Sequence, residues 1–254
     1  MTEEAVQSAQ GEDRSSYQNV VPWNADDFGF TKATEATGWS DPTFAANWAN
    51  LRADGKPRGA YHFFHPSINA TEQAGFFLSV VRANGGLEPG DMLMIDTEIT
   101  VGADGAEEYS DPAHASLRSN VTPTGTLASA ALVASGTLTF MQTVRSALVH
   151  PERHPLVVYT NLSVGALLGS CTEFNLFIAY PSLTAPPSVA PWSNWRFWQW
   201  QFGGGPGGGD RDAYNGTSEA LAAWINSFKP AAAAAPPASS VPPTQPSSPG
   251  SPGS

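Results

Sequence analysis

The stretch Met92-Leu-Met-Ile-Asp96-Thr-Glu98 decides the fold and points to the chemistry. Its apolar run is typical of a buried strand, which ends abruptly in two acids separated by one residue. In an extended chain, residues i and i+2 point to the same side, about 6.6 Å apart. Repulsion at the mouth of an apolar strand moves the two pKa values apart, so that one carboxyl keeps its proton while the other is ionised. Hydrolysis of a glycosidic bond needs that division, although acids at strand ends also bind metals or cap a following helix.

Short apolar runs alternate with helical patterns around this stretch, which indicates an α/β fold with a mostly parallel sheet. The predicted strands run from Phe28 to Thr31, Gly59 to Phe64, Met92 to Asp96, Leu156 to Thr160, Leu176 to Tyr180 and Arg196 to Trp200. The predicted helices lie between Asp41, as the cap, and Gly55, then at about Thr71 to Arg82, Leu127 to Leu148 and Ser218 to Phe228. The stretch from Thr100 to Gly125 has no period and is predicted to be a long excursion near the site.

The composition sets limits on the possible partners. A chain of 254 residues with 41% apolar content is long enough for one substantial core. The formal charge of -11 argues against a partner held by bulk attraction to polyphosphate, so no nucleic-acid partner is expected. The sequence contains no apolar run long enough to span a membrane, and membrane insertion is not expected. Its start lacks the features of a secretory signal, which favours synthesis in the cytoplasm.

The chain is predicted to divide into three parts. Residues 1–10 form a lead-in, residues 11–228 form the folded domain, and residues 229–254 form a tail rich in Pro, Ala, Ser and Gly. A segment of that composition buries too little apolar area to offset its loss of conformational entropy, so we expect it to be disordered. Such a tail is either a spacer toward a wall-binding module or dispensable.

Further motifs resemble those of one family, the glycoside hydrolase family 25 lysozymes. They occur in the family's order and cover roughly residues 11 to 220. The matching strings are Gly11-Glu-Asp13-Arg-Ser15, Phe30-Thr-Lys32-Ala-Thr-Glu35, Asp41-Pro42-Thr-Phe44, Gly59-Ala-Tyr61-His62-Phe63-Phe64, Asp96-Thr-Glu98, Val158-Tyr159-Thr160, Leu176-Phe-Ile-Ala-Tyr180, Phe197-Trp198-Gln199-Trp200 and Asp210-Arg-Asp212-Ala-Tyr214-Asn215-Gly216. Each string alone is a weak signal, whereas the ordered set is a strong one.

The resemblance implies a single irregular TIM-like barrel whose strand ends hold a glycan. The catalytic residues it implies are Glu98 as the proton donor, Asp96 as nucleophile or as a partner of the substrate's N-acetyl group, and Asp13 and Asp210 as residues that orient water, hydroxyls or the acid. The residues it implies in the binding groove are Tyr61, Tyr159, Trp198 and Gln199.

The resemblance also implies a substrate and a setting. The expected reaction is hydrolysis, with retention, of the β-1,4 bond between N-acetylmuramic acid and N-acetylglucosamine in peptidoglycan. The expected enzyme is a monomer that needs neither metal nor cofactor, and a phage endolysin released through a holin is the preferred context. The alternative is an inactive relative that binds peptidoglycan without cutting it, which would keep Tyr61 and Trp198 but not Glu98.

Two departures from the family pattern affect the acids. Glu12 and Arg14 flank Asp13 where apolar residues are usual, so either that strand is short and exposed or the alignment slips. The segment from Gly203 to Gly209, with six glycines, predicts a flexible approach to Asp210.

Other conspicuous residues have structural explanations. His62, in a run of aromatic residues, is predicted to be a hydrogen-bonded core histidine rather than an acid or base. Lys32 and Glu35 either bind substrate or form a structural pair. Cys171, the only cysteine, is predicted to be a free structural thiol, because its surroundings resemble no cysteine peptidase.

Overall fold

Eight strands close into a barrel that has one strand running against the others. The structure, a computed structural model, describes residues 8–98, 130–186 and 188–230. In chain order the elements are β1 (Gln10–Arg14), β2 (Phe28–Glu35), β3 (Trp39–Ser40), α1 (Phe44–Ala53), β4 (Arg58–Phe63), α2 (Ala70–Ala83), β5 (Met92–Asp96), α3 (Ala130–Ala147), β6 (Leu156–Asn161), α4 (Leu162–Gly165), β7 (Asn175–Ala179), β8 (Phe197–Gln201), β9 (Asp210–Tyr214) and α5 (Ser218–Asn226). The predicted excursion from Thr100 to Gly125, the lead-in up to residue 7 and the tail from residue 231 lie outside the described residues.

The strand order confirms the irregular barrel. Around the ring the order is β1, β2, β4, β5, β6, β7, β8 and β9, and β9 pairs again with β1. All neighbours are parallel except β9, which is antiparallel to both β8 and β1. The short β3 pairs with β2 from outside the ring. The carboxyl ends of seven parallel strands therefore meet at one end of the barrel, where sites form in folds of this kind.

Strand alternation separates the core into an inner and an outer layer. In β5, Met92 and Met94 belong to the cluster inside the barrel, whereas Leu93 and Ile95 pack outward beneath the helices. The inner layer includes a ring of phenylalanines, at positions 28, 30, 177 and 197, whose centroids lie 5.1 to 6.1 Å apart. Helix α5 adds Leu221 and Ile225 to this inner cluster. Each fully buried side chain of this size stabilises the fold by about 2 kcal/mol.

The helices and strands that were predicted agree with the structure within a few residues. Strands β3 and β9 and the short helix α4 were not predicted. The cap of α1 was wrong, because Thr43 rather than Asp41 occupies the cap position. Asp41 Oδ1 instead accepts from the Thr43 backbone N–H at 2.8 Å, and its Oδ2 accepts from that of Ser16 at 2.8 Å. Asp41 therefore ties the segment after β1 to the start of the helix.

His62 is the core histidine that the sequence predicts. It faces outward from β4, is fully buried and stacks on Phe140 at 4.9 Å. Its Nε2 lies 3.0 Å from Gln73 Oε1, and its Nδ1 lies 2.8 Å from Thr34 Oγ1. Burial lowers the pKa of His62 to about 3, so the ring is neutral at physiological pH. Cys171 is likewise buried in the outer layer as a free thiol.

The outer face of β1 is buried, whereas an exposed strand was expected. Glu12 and Arg14 are both fully buried, and Arg14 Nε lies 2.8 Å from Glu12 Oε2. Asp13, between them, points into the barrel and lines its cavity. The strand is short, as expected, but its polar flanks belong to a buried ion network rather than to solvent. Among the helices of the described ranges, none has the length and apolar character to cross a membrane.

Candidate active site

A cavity of about 330 Å³ opens at the carboxyl ends of the parallel strands. It is lined by Asp13, Ser15, Tyr17, Gln18, Lys32, Tyr61, Phe63, Met94, Asp96, Glu98, Tyr159, Gln199 and Asp210. The structure thus brings together seven of the eight residues that the sequence predicted for the site. Six of them lie on six different strands, and Glu98 lies two residues beyond the end of β5.

Asp96 and Glu98 share this cavity because the chain stays extended beyond β5. The Thr97 backbone N–H donates to the Tyr159 carbonyl at 2.9 Å, and the Thr97 carbonyl accepts from Thr160 Oγ1 at 2.8 Å. The Thr97 side chain points away and contacts Thr137 on α3. The residues before and after Thr97 therefore face the same side, as their spacing predicts.

Gln199 links the other two acids. Its Nε2 donates to Asp13 Oδ2 at 2.6 Å and to Asp210 Oδ2 at 3.1 Å, while its Oε1 accepts from the Tyr159 hydroxyl at 2.8 Å. Asp13 and Asp210 are also directly opposite one another on β1 and β9. Both amide hydrogens of Gln199 are thus engaged by carboxyls. Gln199 therefore joins two acids of the cavity.

The carboxyls at the cavity hold protons more tightly than solvated acids do. The pKa of Glu98 is raised to about 7, first by burial and then by the charge of Asp210, against the lowering effects of a Tyr159 hydrogen bond and Lys32. Burial and the charge of Glu98 raise the pKa of Asp96 well above its usual range. Repulsion between the two carboxylates is a property of the pair and raises the pKa of whichever acid ionises second. The two titrate as one coupled group that retains a proton near neutral pH.

Lys32 is the one lysine or arginine among the described residues that line the cavity. Its Nζ lies 2.7 Å from Glu35 Oε2, and Glu35 Oε1 lies 3.0 Å from His65 Nε2. The structural pair that the sequence suggested is therefore present, and it holds a cation at the edge of the site. The charge of Lys32 favours ionisation of both Asp96 and Glu98.

Trp198 does not line the groove, which corrects the prediction. Strand β8 alternates, so Phe197 and Gln199 face inward while Trp198 and Trp200 pack in the outer layer. The Trp198 indole Nε1 donates to the Tyr180 carbonyl at 2.7 Å, and its ring meets Trp195 edge to face. Its location makes it a core residue.

Asp212 is a second inward-facing acid of β9 that was not predicted as a site residue. Its carboxyl is fully buried, and neither oxygen has a hydrogen-bond partner among the described residues. Its backbone is level with Gln199 on β8 and Gly11 on β1. Burial, followed by the charges of Asp13 and Asp210, raises its pKa well above the usual range. A buried carboxyl without a cation beside it is most stable when protonated.

We expect the Asp212→Asn substitution to change how stability depends on pH. The unfolded chain releases this proton near pH 3.9, whereas the folded protein retains it to higher pH, so the carboxyl costs stability as pH rises. Asparagine does not titrate, so the variant does not lose stability in this way as the pH rises. Calorimetry should therefore show a difference in melting temperature, variant minus wild type, that grows from pH 5 to pH 8. A difference that stays constant over this range would show that Asp212 ionises normally.

The chain is similar in sequence to known glycoside hydrolases, as expected from paired acids in a barrel cavity. Residues 12–205 match the model of the family described as glycosyl hydrolases family 25. Lysozyme M1 of Streptomyces globisporus is 27% identical over 85% of this chain and 71% of its own length. An N,O-diacetylmuramidase of Arthroderma benhamiae is 38% identical over 104 residues, 37% of this chain and 43% of that protein.

A solved structure shows the same fold. The bacterial lysozyme from Streptomyces coelicolor superposes with a TM-score of 0.68 at 24% identity, covering 87% of this chain and 98% of that one. The family match spans most of the described barrel, and it includes Asp13, Asp96, Glu98 and Gln199. The chain therefore belongs to glycosyl hydrolases family 25 and is a glycoside hydrolase.

Proposed function

We propose that this protein is a lysozyme that hydrolyses the β-1,4 bond between N-acetylmuramic acid and N-acetylglucosamine in peptidoglycan. The observation that carries the proposal is the Asp96 and Glu98 pair in the cavity, with the pKa of Glu98 raised to about 7. A solvated glutamate titrates near 4.3 and would be ionised at neutral pH. Lysozyme M1 and the diacetylmuramidase, both similar to this chain, support the choice of substrate.

Glu98 has the properties that a proton donor needs. Burial disfavours its ionised form, so it keeps a proton for the leaving oxygen at the pH where the enzyme works. Once that proton is transferred, the positive charge of Lys32 stabilises the carboxylate that remains. The same residue then accepts a proton from the water that completes hydrolysis.

Asp96 stabilises the positive charge that develops on the sugar ring. It lines the same cavity as Glu98 and either attacks the anomeric carbon or orients the substrate's own N-acetyl group for that attack. In both routes the first displacement at the anomeric carbon expels the leaving group and the second, by water, opens the intermediate, so both retain the β-configuration. Asp13 and Asp210, fixed by Gln199, would orient water and sugar hydroxyls. The ring of Tyr61 lines the same cavity and offers an apolar face to a sugar.

Analysis of digested cell wall tests this function. We expect purified protein to release muropeptides that end in reducing N-acetylmuramic acid, detected by mass spectrometry after borohydride reduction, with the β-anomer formed first in time-resolved NMR. A matched Glu98→Gln digest controls for contaminating hydrolases. Reducing N-acetylglucosamine ends would indicate the other glycosidic bond, free peptide stems would indicate an amidase, and binding without cleavage would indicate an inactive relative. An initial α-anomer would rule out retention.

A further inference from the structure

The carboxyl of Glu12 binds the backbone of the glycine-rich segment between β8 and β9. The N–H of Gly207 donates to Glu12 Oε1 at 2.8 Å, and that of Gly209 donates to Oε2 at 3.1 Å. Arg14 Nε completes the set at 2.8 Å from Oε2. Glu12 is fully buried by these contacts, on the outer face of β1. A residue near the start of the domain thus holds a segment almost 200 positions later.

Glycine is required in this segment by close packing. A Cβ added at Gly205 would lie 2.2 Å from Glu12 Cδ, and one at Gly207 would lie 2.1 Å from Arg14 Cζ. A Cβ at Gly209 would lie 2.3 Å from the Asp13 carbonyl oxygen. No side chain fits at these distances. The composition that predicted a flexible approach therefore has a second explanation, which is a backbone laid directly on β1.

Both ends of the segment adjoin Asp210 of the site. The N–H of Gly203 donates to Asp210 Oδ1 at 2.5 Å, and Gly209 immediately precedes Asp210. The N–H of Gly205 donates to the Gly209 carbonyl at 3.1 Å, which closes the segment into a loop. One carboxyl oxygen of Asp210 is thus held by the loop and the other by Gln199.

Buried charges fix Glu12 in turn. Arg14 Nη2 lies 3.2 Å from Asp26 Oδ2, and its guanidinium stacks over the Trp23 ring at 3.5 Å. Arg211 lies 3.3 Å from Asp26 Oδ1 and 3.9 Å from Glu12 Oε1. Breaking one contact of such a network would leave a buried charge without a partner. The contacts therefore hold Glu12 in a single geometry.

We propose that Glu12 is a positioning residue that fixes the Asp210 carboxyl in the active site through the loop of residues 203–209. The inference rests on the proposed function, because it assigns Asp210 a part in turnover. It gives a role to a buried acid that does not line the cavity and does not touch substrate.

A double-mutant cycle tests this coupling. Glu12→Gln should lower kcat about tenfold, less than the roughly hundredfold cost of a 1 Å misplacement, with KM changed by less than about twofold. In an Asp210→Ala background, where no carboxyl remains to be positioned, the same substitution should lower kcat by less than about twofold. Equal losses in the two backgrounds would overturn the proposal.

Two controls separate positioning from general destabilisation. Asp91→Asn breaks another buried ion pair, Arg58 with Asp91 at 2.8 Å, at the opposite end of β5 from the site, and should leave kcat unchanged. If Glu12→Gln does not fold, Gly205→Ala is the second variant and Gly38→Ala its control, since a Cβ at Gly38 meets nothing within 4 Å. Gly205→Ala should lower kcat about tenfold. A loss no larger than that of Gly38→Ala would overturn the proposal.

Amide hydrogen exchange provides a readout that does not depend on activity. In the wild type, Gly207 and Gly209 should be protected, and Glu12→Gln should accelerate their exchange at least about tenfold while Thr97 stays protected. Unchanged exchange would contradict the positioning role even in an enzyme that cleaves peptidoglycan. If the wild type releases no reducing ends, the proposed function fails on its own, and exchange still tests whether Glu12 holds the loop.

Discussion

Glu98→Gln should lower turnover on peptidoglycan at least about a hundredfold, the lower end of what a general acid contributes. Glutamine keeps the shape of the side chain but has no acidic proton to give to the leaving oxygen. The proton matters because an alkoxide of a sugar is a poor leaving group. Initial rates of reducing-end release from purified wall, at saturating substrate, measure this loss.

Two control measurements show whether the variant is correctly folded and whether it still binds the cell wall. The cavity that would hold the glycan is otherwise unchanged, so Glu98→Gln should sediment with insoluble wall as the wild type does and melt at a similar temperature. A correctly folded Glu98→Gln protein that keeps more than about a tenth of wild-type turnover would show that another residue donates the proton.

Asp96→Asn should impair turnover on the order of a hundredfold and should also move the alkaline limb of the pH profile to lower pH. In the wild type, that limb reports loss of the last proton held by the coupled pair. Each carboxylate makes ionisation of the other less favourable, and this repulsion is one cause of the raised pKa of Asp96. With Asp96 neutralised, Glu98 titrates without a negative neighbour on the same strand, so it loses its proton at a lower pH.

The pH dependence of kcat/KM for the residual activity measures this shift. Lys32 is present in both proteins and favours ionisation of Glu98 in each, so the shift between them reports the loss of the Asp96 charge. An alkaline limb at the wild-type pH, in a variant with reduced turnover, would mean that the limb belongs to some group outside the pair.

Local geometry explains what the sequence predicted well. Asp96 and Glu98 share a cavity because alternation along an extended chain is fixed by the backbone alone. The same rule, applied to Phe197-Trp198-Gln199, excludes Trp198 and Gln199 from facing the barrel together, so the error at Trp198 was avoidable. The rule also places Asp212 beside Asp210 on the inner face of β9, so the sequence could have identified Asp212 as another acid that faces the barrel interior.

The contacts that could not be predicted join distant parts of the chain. Nothing local to Glu12 indicates that its carboxyl meets Gly207 and Gly209, because that contact depends on the antiparallel pairing of β1 with β9. In the same way, Gln199 matched a groove position by motif, but its engagement with Asp13 follows from closure of the barrel. Sequence patterns predicted the members of the site, whereas ring closure determines which of them hold the others in place.

The central claim is that Glu98 gives a proton to the leaving oxygen, and a change of leaving group tests it most directly. A dinitrophenyl glycoside of the same sugar releases a phenolate that needs no protonation, so a missing general acid should matter little for its departure. We predict that Glu98→Gln is at least about a hundredfold slower than wild type on peptidoglycan but keeps kcat/KM within about tenfold of wild type for dinitrophenolate release, while Asp96→Asn stays impaired on both. The ratio kcat/KM reports departure of the leaving group and excludes the later water step, in which Glu98 acts as a base. Equal losses for Glu98→Gln on the two substrates would contradict the assignment of Glu98 as the proton donor.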